Sequence, residues 1–223
     1  MNWLVGLAVA GLTIVTLAVA FGDEPPVYTQ RGGERAFVGG RTHANEVLDC
    51  DLPGTMHIKN VGSKIDGAGM CVMSSIEMAA LFQGLDQYKG LRDWCANEPG
   101  GGTPQKVVKQ LEAFCRAKNL PPPRYLQYEG RDVNSILQTA LKSGRMACVT
   151  YGYGERYPGQ IAHMVSCVKY SGQWATILDN NFPGEAAYEW MTPTEAARRV
   201  VAYGGTGWVF VWLDPPPPAS PRN

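Results

Sequence analysis

From Cys71 to Phe82 the run CVMSSIEMAALF sets apolar residues at helical spacing (Val72, Ile76, Ala79, Ala80), and Gly84 stops it. Gly67-Ala68-Gly69 precedes that helix as a flexible turn. Thr103-Pro104 reads as an N-cap followed by proline at the first helical position, and Val107, Val108, Leu111, Phe114 and Cys115 then line one face of a second helix. A third, short helix is predicted over residues 132–142, ending at Gly144. Beyond it the period changes. Residues 146–151, 161–170, 174–178 and 208–213 are strand-like runs separated by glycine-rich turns, an antiparallel sheet in prospect. Thr192-Pro193-Thr194-Glu195 fits a capping box and starts a helix through Ala196, Ala197 and Val200. Helices first and strands second predict an α+β fold, with N-terminal helices packed against a C-terminal antiparallel sheet.

The two ends have a different character. Residues 3–21 carry no charge and are mostly Leu, Val, Ala and Ile, long enough to span a bilayer, while Ala18-Val19-Ala20 supplies the small residues a signal peptidase needs. Residues 1–20 are therefore expected to be a signal peptide removed after Ala20, with a retained membrane anchor as the alternative. A membrane is met only through residues 1–21, if they stay uncleaved. Asp23 and Glu24 follow at once and favour an exported domain, whether periplasmic, secreted or anchored outside the cytoplasm. Residues 21–66 are polar and glycine-rich without periodicity and predict an extended lead-in that wraps the domain. The domain itself should occupy 67–214, and 215–223, opening on four prolines, should be a polyproline tail.

Lys+Arg 20 against Asp+Glu 20 gives zero net charge with no long run of either sign, so no nucleic-acid partner is expected. An apolar share of 45% excludes global disorder, and 26 Gly with 16 Pro point to a loop-rich fold. Six cysteines in an exported chain first suggest three disulfides. The chemistry below removes Cys71 from that count, which leaves at least one more unpaired. Cys148 and Cys167 lie in apolar strand-like runs and read as small buried hydrophobes, so Cys50, Cys95 and Cys115 remain as bridge partners. There is no C-x-x-C, and His43, His57 and His163 stand at no ligand spacing, so neither a metal nor a cofactor is expected.

Cys71 stands in the first turn of its helix. A thiol must ionise to become a good nucleophile, and the free N–H groups and positive dipole end of a helix start favour the thiolate. The plain alternative is a buried structural cysteine. His163 shares a strand face with Ile161, Val165 and Cys167, an apolar setting in which an imidazole needs a partner. The next strand ends in Asp179-Asn180-Asn181-Phe182, and a hairpin turning at Ser171-Gly172 would bring Asp179 or Asn180 beside His163. Adjacent strand residues point to opposite faces, so only one of the two can face the ring unless a bulge intervenes. An oxygen accepting from one ring nitrogen would set the tautomer and free the other nitrogen to take a thiol proton.

Taken together, Gly69-Met70-Cys71 opening a helix, a strand with Ala162-His163, and a strand ending in Asn180 with an aromatic two residues on resemble the papain-like cysteine peptidase superfamily. The likeness is to its compact bacterial branches, among them the double-glycine leader peptidases. It covers roughly residues 60–213, and Gly101-Gly102-Thr103-Pro104 looks like the glycine-rich segment that lines the family's substrate cleft. The resemblance implies a Cys71 thiolate paired with a His163 imidazolium, Asn180 orienting the ring, and Phe182 shielding that bond from water. Asp179 is the other orienting candidate. It implies hydrolysis of a peptide or protein substrate, with acyl transfer to an amine as a variant. The glycine-serine-cysteine-tryptophan context of the plant enzymes is absent. The family's oxyanion-hole glutamine would fall at Ile65, which has no donor, leaving Asn60, Ser63 or Lys64 as substitutes beside the Cys71 N–H. A catalytically inactive papain-like domain that binds a peptide or protein partner is the alternative function.

Overall fold

The computed structural model describes residues 27–31, 34–201 and 205–214. The expected leader and the proline tail lie outside them. The chain enters as strands β1 (Val27–Arg31) and β2 (Glu34–Gly39), followed by a small separate hairpin of β3 (Thr42–His43) and β4 (Glu46–Val47). Helix α1 (Cys71–Phe82) comes next, then α2 (Leu91–Cys95) and α3 (Pro104–Ala117). The second half alternates: β5 (Tyr125–Gly130), α4 (Val133–Lys142), β6 (Ala147–Tyr151), β7 (His163–Tyr170), β8 (Ala175–Leu178), β9 (Tyr188–Met191), α5 (Pro193–Val200) and β10 (Gly207–Trp212). Among the described residues the main sheet has eight antiparallel strands in the order β1-β2-β9-β8-β7-β6-β10-β5. Helices and an antiparallel sheet make this the α+β fold that the period change predicts.

The capping signals act as written. Thr103 Oγ1 accepts from the Lys106 N–H at 3.2 Å, and Thr192 Oγ1 accepts from the Glu195 N–H at 3.2 Å. Helix α1 is buried on every side from Cys71 to Leu81 and packs on β7, β10 and β6. Trp212 reinforces the contact by donating Nε1–H to the Ile76 carbonyl at 2.9 Å. Helix α1 is thereby tied to the sheet.

Three features add to or depart from the sequence pattern. The lead-in is not merely wrapped around the domain, because β2 pairs with β9 and extends the sheet, burying Ala36 and Phe37 and covering what would otherwise be an exposed edge. Strand β9 carries no signal of its own, since Glu189 interrupts an otherwise apolar run. Its charge is met by Arg199 of α5, which also pairs with Glu155 and Glu195. Finally, all six cysteines are free and buried. Cys95 and Cys115 sit on separate helices, and Cys50, beside Cys167, is 0% exposed as packing for the sheet.

Candidate functional site

The segment before α1 folds back on itself. The Met70 N–H donates to the Val61 carbonyl and the Ser63 N–H to the Ala68 carbonyl, both at 2.9 Å, with a Gly62–Gly69 bridge between them. This narrow hairpin delivers Cys71 to the head of α1. A loop at residues 100–102 lies directly on it: the Gly101 N–H donates to the Gly69 carbonyl at 2.9 Å. A Cβ on Gly100 would stand 2.0 Å from the Ala68 carbonyl oxygen, so only glycine permits the approach. Between these loops and the sheet opens a cavity of about 770 Å³, lined by Cys71, His163, Gly101, Gly102, Thr103 and Pro104 among others. The glycine-rich segment thus lines the cavity that holds Cys71.

His163 is the first residue of β7 and its side chain is nearly buried. Its Nε2 meets Asp179 Oδ1 at 2.8 Å, and the Cys71 side chain is near enough to interact with the ring. With Nε2 on the carboxylate, Nδ1 is the nitrogen left for the sulfur. Burial works against the charged ring, but the hydrogen bonds to Asp179 and Cys71 and the charges of both override it and push the His163 pKa up to about 9. Burial likewise opposes ionisation of Asp179, yet its hydrogen bond and attraction to His163, with help from Tyr157 and the Asn181 N–H, hold its carboxyl below the usual range. Tyr157 donates its hydroxyl proton to Asp179 Oδ2 at 2.7 Å, and the Asn181 N–H donates to Oδ1 at 2.9 Å.

Asn180, expected on the imidazole, is elsewhere. Its Nδ2 shares two protons among three acceptors, the Cys71 carbonyl at 3.0 Å, Ser75 Oγ at 2.8 Å and the Met164 carbonyl at 2.9 Å, tying α1 to the sheet. The register of one hairpin explains the exchange. Next to the turn, Tyr170 pairs with Ala175 and Lys169 with Thr176, which if continued would set Asn180 opposite Val165 and on the face of His163. The register slips by one residue between Lys169 and Cys167, after which Cys167 pairs with Ile177 and Ser166 with Leu178. Asp179 then falls opposite Val165 and takes the face that His163 shares.

Comparison with known proteins adds a likeness among solved structures. A double-glycine motif protease from an AMS/PCAT transporter, solved in complex with its leader peptide, is similar to this chain at 15% identity, covering 70% of this chain and 94% of that one, with a TM-score of 0.40. No family model and no curated protein matches.

The aromatic expected to shield the imidazole is also displaced. Phe182 is 39% exposed and lies under the Arg156 guanidinium, 4.4 Å from its ring centroid. Tyr157 is the ring near the imidazole, with centroids 5.9 Å apart. Tyr151 is buried on Arg199 and Glu189, and Trp174 packs edge-on against His43. The loop that carries Tyr157 is closed at its neck by the Ile161 N–H donating to the Gly152 carbonyl at 2.8 Å. It is anchored at Gly152, whose N–H donates to the Arg199 carbonyl at 2.9 Å. Ile65 points into solvent, 63% exposed, because it rides the tip of the hairpin before α1. Ser63 Oγ is spent on the Glu98 carbonyl and Lys64 Nζ on Asn97 Oδ1, whereas Asn60 lines the cavity with Cys71. Asn181 and Trp208, which also line the cavity, carry no local signal; the parity of Asn181 with Asp179 marks it only once the register is known.

Proposed function

We propose that this chain is a papain-like cysteine hydrolase that cleaves peptide bonds, with Cys71 as nucleophile, His163 as acid and base, and Asp179 as the orienting carboxylate. The observation that carries this reading is the chain of side-chain contacts Cys71–His163–Asp179 at the head of a rigidly packed helix, inside a cavity of peptide size. Cys71 Sγ adds to the carbonyl carbon and the carbonyl π pair moves onto oxygen. Collapse of that tetrahedral adduct breaks the C–N bond as the imidazolium passes its proton to the leaving amine, leaving a thioester on Cys71. Water then adds to the thioester while His163 takes its proton, and collapse breaks the C–S bond, releasing the acid and regenerating thiolate and imidazolium.

The test is the rate at which Cys71 is alkylated by iodoacetamide at pH 5 to 6, followed by peptide mapping. A Cys71 held as thiolate against imidazolium should react fast where an ordinary thiol is almost inert. Labelling no faster than that of a free cysteine would defeat the hydrolase reading and leave the peptide-binding alternative.

The apolar run at residues 3–21, ending in Ala18-Val19-Ala20, supports a domain that works outside the cytoplasm. Sequencing of the native N-terminus is expected to begin near Phe21. An intact Met1 in a membrane fraction would mean an anchor, and an intact Met1 on soluble cytoplasmic protein would defeat export.

A further inference from the structure

Acyl transfer leaves a negative oxygen on the tetrahedral adduct, and beside the Cys71 N–H it needs a second donor. We infer that Asn60 supplies this donor through Nδ2–H, and that Tyr157 and Asn181 hold its amide in the donating orientation by a hydrogen-bond relay that begins on Asp179. The inference rests on the hydrolase reading above.

The relay is continuous. Tyr157 Oη donates to Asp179 Oδ2 at 2.7 Å, Asn181 Nδ2 donates to Tyr157 Oη at 2.8 Å, and Asn60 Nδ2 donates to Asn181 Oδ1 at 2.8 Å. Its direction follows from charge. An ionised carboxylate only accepts, so the single phenolic proton of Tyr157 is committed to Asp179. The phenolic oxygen must then accept, which turns the NH2 of Asn181 toward it and the Asn181 carbonyl toward Asn60. Asn60 can answer a carbonyl only with its own NH2. Rotation of the Asn60 amide would set two carbonyl oxygens against each other, so the polarity set at Asp179 is transmitted link by link to Nδ2 of Asn60.

An NH2 group has two protons, and among the described residues Asn60 Nδ2 makes a single hydrogen bond, leaving one to donate. The group faces the same cavity as the nucleophile. Asn60 lines the same cavity as Cys71 and His163, and its Nδ2 is 3.1 Å from where a Cβ on Gly69 would stand, two residues before the nucleophile. The Asn60 backbone is pinned as well, its N–H donating to the Asn180 carbonyl at 2.8 Å. The hairpin between Val61 and Met70 brings a residue eleven positions before Cys71 (71 − 60) into this place and carries Ile65 away from it. Asn60 is thus assigned as a catalytic residue, and Tyr157 and Asn181 as positioning residues that act through it.

The experiment compares the full chain with Asn60→Ala, Asn60→Asp, Asn181→Leu and the Asn60→Ala/Asn181→Leu double variant. It measures kcat and KM on a fluorogenic peptide cleaved by the wild type, and the rate of Cys71 alkylation by iodoacetamide at pH 6. Alkylation forms no oxyanion and should stay within about twofold of wild type in every variant. Asn60→Ala should lose about 10²–10³ in kcat with little change in KM, and Asn60→Asp, which keeps the shape but has no donor, should lose at least as much. Asn181→Leu should lose about tenfold in kcat, and the double variant should fall no further than Asn60→Ala, since Asn181 has nothing left to orient. Wild-type kcat in both Asn60 variants would overturn the assignment. So would a parallel fall in alkylation rate, because Asn60 would then act on the dyad and not on the oxyanion. Additive losses in the double variant would remove Asn181 from the relay. A wild-type Cys71 that alkylates no faster than a free cysteine would fell the hydrolase reading itself, an outcome distinct from all of these.

Discussion

Serine in place of Cys71 is expected to remove hydrolysis, by on the order of 10⁴-fold or more in kcat, while leaving the fold intact. The hydroxyl nearly matches the thiol in size. Cys71 is at the first position of α1, where serine is well tolerated, so a denaturation midpoint should move by less than about 1 kcal/mol of stability. What is lost is the ionisable sulfur: a serine hydroxyl beside His163 would have to be deprotonated at the moment of attack. Burial disfavours the two thiols that compete most directly. Cys50 and Cys95 are 0% exposed, and burial pushes both thiols up, Cys95 to about 12. An epoxide that alkylates papain-type enzymes should therefore map to Cys71. An adduct on Cys50 or Cys95 with Cys71 untouched would show that the nucleophile is misassigned.

Asp179→Asn is expected to cut kcat by up to about 10⁴, as loss of an orienting carboxylate does in catalytic triads. An asparagine keeps the shape, but it lacks the charge that supports the imidazolium, and its NH2 would compete with the Tyr157 hydroxyl. The pH profile carries a sharper signature. The folded-state pKa of His163 is raised, so the imidazolium persists in the folded protein well above its ordinary range and is lost as pH rises through about 9. Wild-type activity should fall along an alkaline limb near that value. In Asp179→Asn the limb should shift toward lower pH, because the strongest interaction that raises the pKa is gone. A limb unmoved by the substitution would show that Asp179 does not govern His163. Asn180→Ala should behave oppositely, costing about 1–3 kcal/mol of stability by stripping partners from the Cys71 and Met164 carbonyls and Ser75 Oγ, with the alkaline limb unchanged.

The sequence alone determined what local physics controls. Helix starts at Cys71, Thr103 and Thr192, helix stops at Gly84 and Gly144, and the strands that hold His163 and lead to Asp179 all follow from period, caps and turn residues within a few positions of each element. Cys71 and His163 stand out in the sequence because each carries its signal nearby: a thiol at a helix start, and an imidazole on an apolar strand face. Strands β5 and β9 were hidden, since β5 is an edge strand and the pattern of β9 is interrupted by Glu189, whose charge is met by Arg199 from another element. The choice between Asp179 and Asn180 depended on a single-residue slip in the β7–β8 ladder, and such a slip exchanges the two faces of a strand without any mark on the residues it moves. The neighbourhood of Asn60 was set in the same way, by a hairpin that carries Ile65 outward and Asn60 inward. Periodicity fixes which residues share an element, but register and loop path decide which side chains from distant elements meet, and those are settled only when the whole core packs.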